Sequence, residues 1–194
     1  MIGVLVSGSG SNLQALIDAG KPIDCVVSNK PGVLALERAA KAGIETAIFE
    51  LADYPDRSAR DKAMASWLEQ RGVTLVVLAG YMHVLTPAFL ERFPRKVINL
   101  HPALLPSFPG AHAIEDALSY GVRWTGVSVH FVDEGVDTGP ILLQEPVEVT
   151  SDDTAETLAT RIHAVEHRLL PEAVQLCLDG RVRFSEGSRR VVIK

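Results

Sequence analysis

Apolar positions in this chain come as short unbroken runs that alternate with helical repeats. Ile2–Val6 and Ile23–Ser28 read as strands, with a Gly/Ser loop at 7–11 and a helix opening at 12–19 between them. Leu34, Leu36, Ala39 and Ala40 mark a second helix that stops at Gly43, and a short strand comes next at 46–49. Ala59, Ala63, Met64, Trp67 and Leu68 recur at i, i+4, i+5, i+8 and i+9, the stripe of an amphipathic helix ended by Gly72. Two more apolar runs lie at 75–79 and 97–100. Continuously apolar strands are buried on both faces, and helices between them predict a parallel, doubly wound sheet.

The second half changes character. Strands at 126–132 and 141–149 flank a polar, Gly-containing loop, which points to an antiparallel pair or a reversal within the sheet. Asp153 and Glu156 have capping-box spacing ahead of a helix carrying Ala155, Leu158, Ala159, Ile162, Val165 and Leu169. Pro171 is expected to kink this helix and Gly180 to end it. The tail at 181–194, with a turn at Glu186-Gly187, reads as a basic hairpin on a solvated edge. The expected fold is a single-domain α/β protein: a doubly wound, mostly parallel twisted sheet, Rossmann-like, with an antiparallel strand in the second half.

Composition narrows the function classes. The 194 residues include 19 Lys and Arg and 24 Asp and Glu, a net charge of −5, with 47% hydrophobic and 22% charged residues. These are ordinary globular proportions, unlike those of a disordered, collagen-like or Cys-dense chain. The acidic balance argues against nucleic acid as a partner. It leaves room for an anionic small ligand, because a helix N-terminus holds phosphate without net positive charge. Cys25 and Cys177 stand apart in apolar runs and read as two buried free thiols of a reducing compartment. The N-terminal apolar run is too short for a signal peptide, and no stretch approaches the ~20 residues of a membrane span. A cytoplasmic protein without membrane contact is expected.

Four segments carry candidate chemistry. Ser7-Gly8-Ser9-Gly10-Ser11-Asn12 joins a strand to a helix, where small residues let a ligand approach backbone N–H groups at the positive helix end. Its bland reading is a tight turn with an N-cap. The loop lacks the Gly-Lys-Ser/Thr of a P-loop. Leu13 stands where a dinucleotide fingerprint needs its third Gly, and the second strand ends Ser28-Asn29-Lys30 without an acidic ribose ligand. A nicotinamide oxidoreductase therefore fits poorly.

Asn99 and His101 stand two apart at the carboxyl end of a strand, so their side chains leave on one side, where open α/β sheets bind ligands. Pro102, Pro106 and Pro109 stiffen the loop after this strand, and one of these X-Pro bonds is a candidate for the cis form. The turn Asp133-Glu134-Gly135-Val136-Asp137-Thr138-Gly139-Pro140 is ordinarily just a hairpin loop. If Asp137 reaches His101, it stabilises an imidazolium able to act as a general acid or as a charged donor to an oxyanion. His163, Glu166 and His167 match the spacing of inverted zinc peptidases, but no motif supplies a third ligand, and no metal is expected.

Taken together these segments resemble the folate-dependent phosphoribosylglycinamide branch of the formyltransferase family, nearly end to end. The matching segments are Ser-Gly-Ser-Gly-Ser-Asn-Leu-Gln at 7–14, Val-Ser-Asn-Lys at 27–30, Leu-Glu-Arg-Ala at 36–39 and Leu-Ala-Gly-Tyr-Met at 78–82. Asn-Leu-His-Pro-Ala-Leu-Leu-Pro-Ser-Phe-Pro-Gly-Ala-His at 99–112 is the most specific. Ser-Val-His-Phe-Val at 128–132, Asp-Thr-Gly-Pro at 137–140 and Glu-His at 166–167 complete the set. Formyl-folate hydrolases of the same family resemble the core with His-His where this chain has His101-Pro102, and they add an N-terminal regulatory domain. Relatives acting on initiator tRNA add a basic C-terminal domain. At 194 residues the chain is expected to hold one transferase core.

The resemblance implies a fold in which 1–100 is the phosphate-binding half, 101–180 the catalytic and folate half, and 181–194 a hairpin tail. It implies transfer of a formyl group from the cosubstrate 10-formyltetrahydrofolate to the amine of glycinamide ribonucleotide, in purine biosynthesis. Asn99, His101 and Asp137 would be catalytic. Gly10, Ser11, Asn12 and Glu166 would bind the ribonucleotide. Arg57, Met82, His83, Val84, Leu85 and Asn99 would line the folate site, with Asp133, Glu134, Gly135, Val136 and Asp137 closing over the pteridine. His83 replaces a basic residue common at its position, and Leu170 a usual aromatic. Partners are the two small molecules, with a monomer or homodimer expected. A formyltetrahydrofolate hydrolase and a non-catalytic nucleotide-binding module are the alternatives.

Overall fold

β1 (Ile2–Val6) is buried at all five positions, as an unbroken apolar run must be at the centre of a sheet covered on both faces. The computed structural model describes residues 1–185 and 187–194. The chain forms two compact units, Met1–Asn99 and Leu100–Lys194.

In the first unit β1 pairs in parallel with β2 (Ile23–Ser28) and with β4 (Leu75–Leu78). β2 pairs with β3 (Glu45–Ile48), and β4 with β5 (Val97–His101), all parallel. Four helices fill the connections: α1 (Ser11–Asp18), α2 (Leu34–Lys41), α3 (Arg57–Gln70) and α4 (Pro87–Leu90). α1 buries Leu13 and Leu16, and α3 buries Met64 and Leu68. Each such side chain contributes about 1.5–3 kcal/mol on leaving water. The expectation that every early strand is buried on both faces fails at β3, which is exposed at Glu45, Thr46 and Ile48. It is a short edge strand. Because the five strands are parallel, the residues just after β1, β2 and β4 gather at one sheet edge with the end of β5.

The second unit contains α5 (Ala113–Tyr120), β6 (Trp124–Phe131), β7 (Ile141–Glu148) and α6 (Ala155–Leu178), and then β8 (Val182–Phe184) and β9 (Val191–Ile193). β6 and β7 are antiparallel, so the expected reversal occurs here. The seven-stranded sheet runs β3-β2-β1-β4-β5-β6-β7. The strand run beginning at 126 starts two residues earlier, at Trp124.

α6 corrects the expected cap. Thr154 is the N-cap and exchanges hydrogen bonds with Thr157, while Asp153 accepts from the Thr150 N–H and pairs with Arg161. Asp153 and Glu156 had the right spacing one position too early. α6 continues through the buried Pro171 to Leu178. Cys25 is fully buried, which pushes its thiol up to about 12, but Cys177 is only half-buried, contrary to expectation.

β8 and β9 form the expected hairpin. Glu186, half of the expected turn, lies outside the described residues. The hairpin is more than a solvated edge: Phe184 packs on Phe131 with ring centroids 4.7 Å apart, and Arg189 pairs with Asp133 at 3.3 Å. Among the described residues no helix is long and apolar enough to cross a membrane.

Candidate active site

The Gly/Ser loop sits where β1 enters α1. Gly10 is the N-cap of α1 in the left-handed region (φ 72°), and a Cβ there would lie 2.7 Å from the Ala35 Cα. Only glycine fits, and it brings no side-chain acceptor to the first turn of α1. The loop is held onto α2: the Ala35 N–H donates to the Gly8 carbonyl at 3.1 Å, and Arg38 Nε to that of Ser9 at 2.9 Å. Ser11 and Asn12 are half-buried at the start of the helix. The arrangement offers helix N-terminal amides to an anion.

The segment after β4 is tied to the same edge. The Met82 N–H donates to Ser7 Oγ at 2.9 Å, and Ser7 Oγ lies 2.6 Å from the Asn29 carboxamide, which stands 3.1 Å from His83 Nε2. On its other side His83 Nδ1 meets Arg60 at 2.6 Å, and Arg60 grips Asp61 with Nε and NH2. Asp61 then accepts from the Thr86 N–H at 2.8 Å. Met82 and Val84 remain exposed at 63% and 46%, whereas Leu85 is buried. Burial first, then the charges of Arg60 and Arg57, hold the His83 imidazole below its ordinary value. Arg57 opens α3 on the exposed side, just after the N-cap Asp56.

His101 ends β5, two residues after Asn99. Its Nδ1 lies 3.3 Å from Asp137 Oδ2, and its Nε2 lies 2.7 Å from the Phe108 carbonyl oxygen. A carbonyl only accepts, so Nε2 carries a proton. A carboxylate also only accepts, so the doubly protonated ring satisfies both neighbours and the neutral ring only one. Asp137 Oδ2 further accepts from the Gly110 N–H at 2.8 Å, and Oδ1 lies 3.5 Å from His130 Nε2. Burial opposes ionisation of Asp137, but the His130 hydrogen bond, the Gly110 amide and the two histidines outweigh it and keep the carboxyl below its ordinary range. The expected His101–Asp137 relation is therefore present.

Asp137 owes its place to its loop. It adopts φ 52°, and Gly139 stands two residues on, where a Cβ would overlap the Phe131 carbonyl. Asp133 Oδ1 accepts from Thr138 Oγ1 and the Gly135 N–H, closing the turn, while Glu134, Gly135 and Val136 project to solvent. A cavity of about 610 Å³ opens beside Asp137, walled by Leu105, Pro106, Pro109, Pro140 and Ile141. The Leu105–Pro106 bond is the cis one.

Sequence reading missed Ser128, His130 and Gln144. Ser128 Oγ donates to the Ala103 carbonyl at 2.6 Å and accepts from the Leu105 N–H at 3.0 Å. Gln144 Nε2 reaches both Ser128 Oγ and the Leu105 carbonyl at 2.9 Å. Ser128 and His130 share one face of β6, and their two-residue spacing inside an apolar strand was the available signal. Glu166 lies buried on α6, accepting from His163 Nδ1 at 2.9 Å, in the second unit rather than in the unit of Gly10. Its hydrogen bond raises the His163 value above the ordinary one.

Residues 1–174 match the family model described as formyl transferase. The phosphoribosylglycinamide formyltransferase of Mycobacterium tuberculosis is 48% identical over 175 residues, covering 88% of this chain and 81% of that protein. The human trifunctional purine biosynthetic protein adenosine-3 is 43% identical over the whole chain, which spans only 20% of that protein. Among solved structures, glycinamide ribonucleotide transformylase 1 from Symbiobacterium toebii superposes with a TM-score of 0.96 at 46% identity, over 99% of this chain and 92% of that one.

Proposed function

Because this chain belongs to the formyl transferase family, we propose that it transfers the formyl group of 10-formyltetrahydrofolate to the amine of glycinamide ribonucleotide, in purine biosynthesis. The observation that carries the reading is the His101–Asp137 pair at 3.3 Å, two residues along β5 from Asn99. Gly10, Ser11 and Asn12 hold the ribonucleotide phosphate on backbone amides, and Glu166 contacts the same substrate. The exposed Met82 and Val84, the buried Leu85, Arg57 and the loop 133–137 receive the folate.

The neutral amine attacks the formyl carbon, and negative charge develops on the formyl oxygen. Asn99 and doubly protonated His101 donate hydrogen bonds to that oxygen. To do so His101 Nε2 exchanges the Phe108 carbonyl for the substrate oxygen. Asp137 keeps His101 charged and relays a proton through water toward the leaving nitrogen. No covalent bond to the protein forms. Free thiols are in keeping with a reducing, cytoplasmic setting.

The test is substitution of the three polar groups. Asn99→Ala, His101→Ala and Asp137→Ala should each lower kcat by about 10²–10³ while the protein stays folded. Near-normal turnover in any of them rejects its assigned role.

A further inference from the structure

One buried polar chain in the first unit has no part in the reaction above. Arg60 and Asp61 are fully buried on α3, where charged residues ordinarily face water. They are not a closed pair. Arg60 continues to His83 Nδ1 at 2.6 Å, and Asp61 to the Thr86 N–H at 2.8 Å. Both contacts land on the segment between β4 and α4, and a third, from the Met82 N–H to Ser7 Oγ, fixes its start.

The donors and acceptors assign the state of His83. A guanidinium only donates, so His83 Nδ1 accepts and the proton sits on Nε2. In the structure Ser7 Oγ donates to the Asn29 Oδ1 at 2.6 Å and Asn29 Nδ2 faces Nε2 at 3.1 Å, so this tautomer requires the carboxamide turned over, its oxygen toward Nε2 and its NH2 toward Ser7 Oγ. Both ring nitrogens are thereby engaged inside the protein. The charged and titratable groups that act on His83 are Arg60, Arg57, Asp61 and Lys30, three of them cations.

We propose that Arg60 is a positioning residue for the folate site, holding His83 as the neutral Nε2–H tautomer and, with Asp61, fixing the backbone of 82–86. His83 offers a bound ligand its backbone and no cation. Met82, whose N–H donates to Ser7 Oγ, and Val84 stand exposed on either side of it. Specificity at this position comes from a rigid apolar edge. The inference rests on the formyl-transfer reading for the identity of the ligand, not for the network itself.

Two measurements test it. In uniformly folded protein with ¹⁵N-labelled histidine, long-range ¹H–¹⁵N spectra should show His83 predominantly neutral and Nε2-protonated at pH 6.5, the ordinary midpoint of histidine. A doubly protonated ring, or a proton on Nδ1 alone, overturns the assignment. Arg60→Met and the charge-free double variant Arg60→Met/Asp61→Asn should raise KM for the formyl-folate about tenfold. Their kcat and KM for the ribonucleotide should stay close to wild type, a split that general loss of structure does not give. The double variant guards against misfolding caused by an unpaired Asp61. Unchanged folate KM in either folded variant overturns the positioning role. The spectra need no substrate: a neutral Nε2–H ring in a protein without turnover rejects formyl transfer alone, and a charged ring in an active enzyme rejects the network alone.

Discussion

Asp137 Oδ2 stands 3.3 Å from His101 Nδ1, and the same oxygen takes the Gly110 N–H at 2.8 Å. The carboxylate thus fixes both the ring and the loop that carries Phe108, whose carbonyl occupies the other ring nitrogen. Asp137→Asn keeps the shape and removes the charge. It should lower kcat by about 10²–10³ while lowering the melting temperature at neutral pH by only a few degrees. Steady-state kinetics with both substrates saturating check it.

Stability should carry the signature of the same carboxylate at acid pH. The folded Asp137 titrates below its ordinary value of 3.8, so ionised Asp137 favours the folded state above that value, and the contribution is lost as pH falls through the lower folded one. The melting-temperature difference between wild type and Asp137→Asn should therefore shrink below pH 3.8. A difference that grows on acidification contradicts the direction.

His163 behaves in the opposite sense. Its value is raised by Glu166, so the pair stabilises the fold fully below 6.5, and the contribution disappears as pH rises through the raised value. Thermal melts of His163→Ala against wild type should diverge at pH below 6.5 and converge in alkali. Glu166→Gln, which keeps the shape, should raise KM for the ribonucleotide by about tenfold, with little change in that for the folate.

Ser128 ties down the loop that follows β5, donating to the Ala103 carbonyl and accepting from the Leu105 N–H. Ser128→Ala leaves the buried Leu105 N–H without its acceptor and should cost about 1–3 kcal/mol in chemical denaturation. Because only Pro102 separates the Ala103–Leu105 backbone from His101, kcat should fall as well. Loss of stability with intact kcat would separate that loop from the chemistry.

Gly10→Ala meets both a positive φ and the Ala35 backbone at 2.7 Å. It should destabilise the fold by more than about 1 kcal/mol and weaken ribonucleotide binding more than folate binding. Isothermal titration with each ligand measures the difference.

The parallel half was legible because β1 and β4 are unbroken apolar runs and α2 and α3 stop just before Gly43 and Gly72. α5 was not: its fully buried residues are Ala113 and Ala117, too small to make a stripe. Arg60 and Asp61 escaped notice because charge on an amphipathic helix reads as a solvated face, and only the tertiary structure shows them buried together. Asn99, His101 and Asp137 stood out as polar groups at strand ends or in a Gly-rich turn. His130 and Ser128 were masked by the apolar strand around them, since their partners lie across chain distances that no local pattern encodes.

The most direct measurement tracks the formyl carbon itself. The protein is mixed with glycinamide ribonucleotide and 10-formyltetrahydrofolate carrying ¹³C in the formyl group, and the label is traced by NMR. Direct transfer puts the ¹³C into the formamide of the ribonucleotide, one for each folate released, and no label is lost when the ribonucleotide is left out. Labelled formate released without the ribonucleotide, or label retained on the protein, would contradict it.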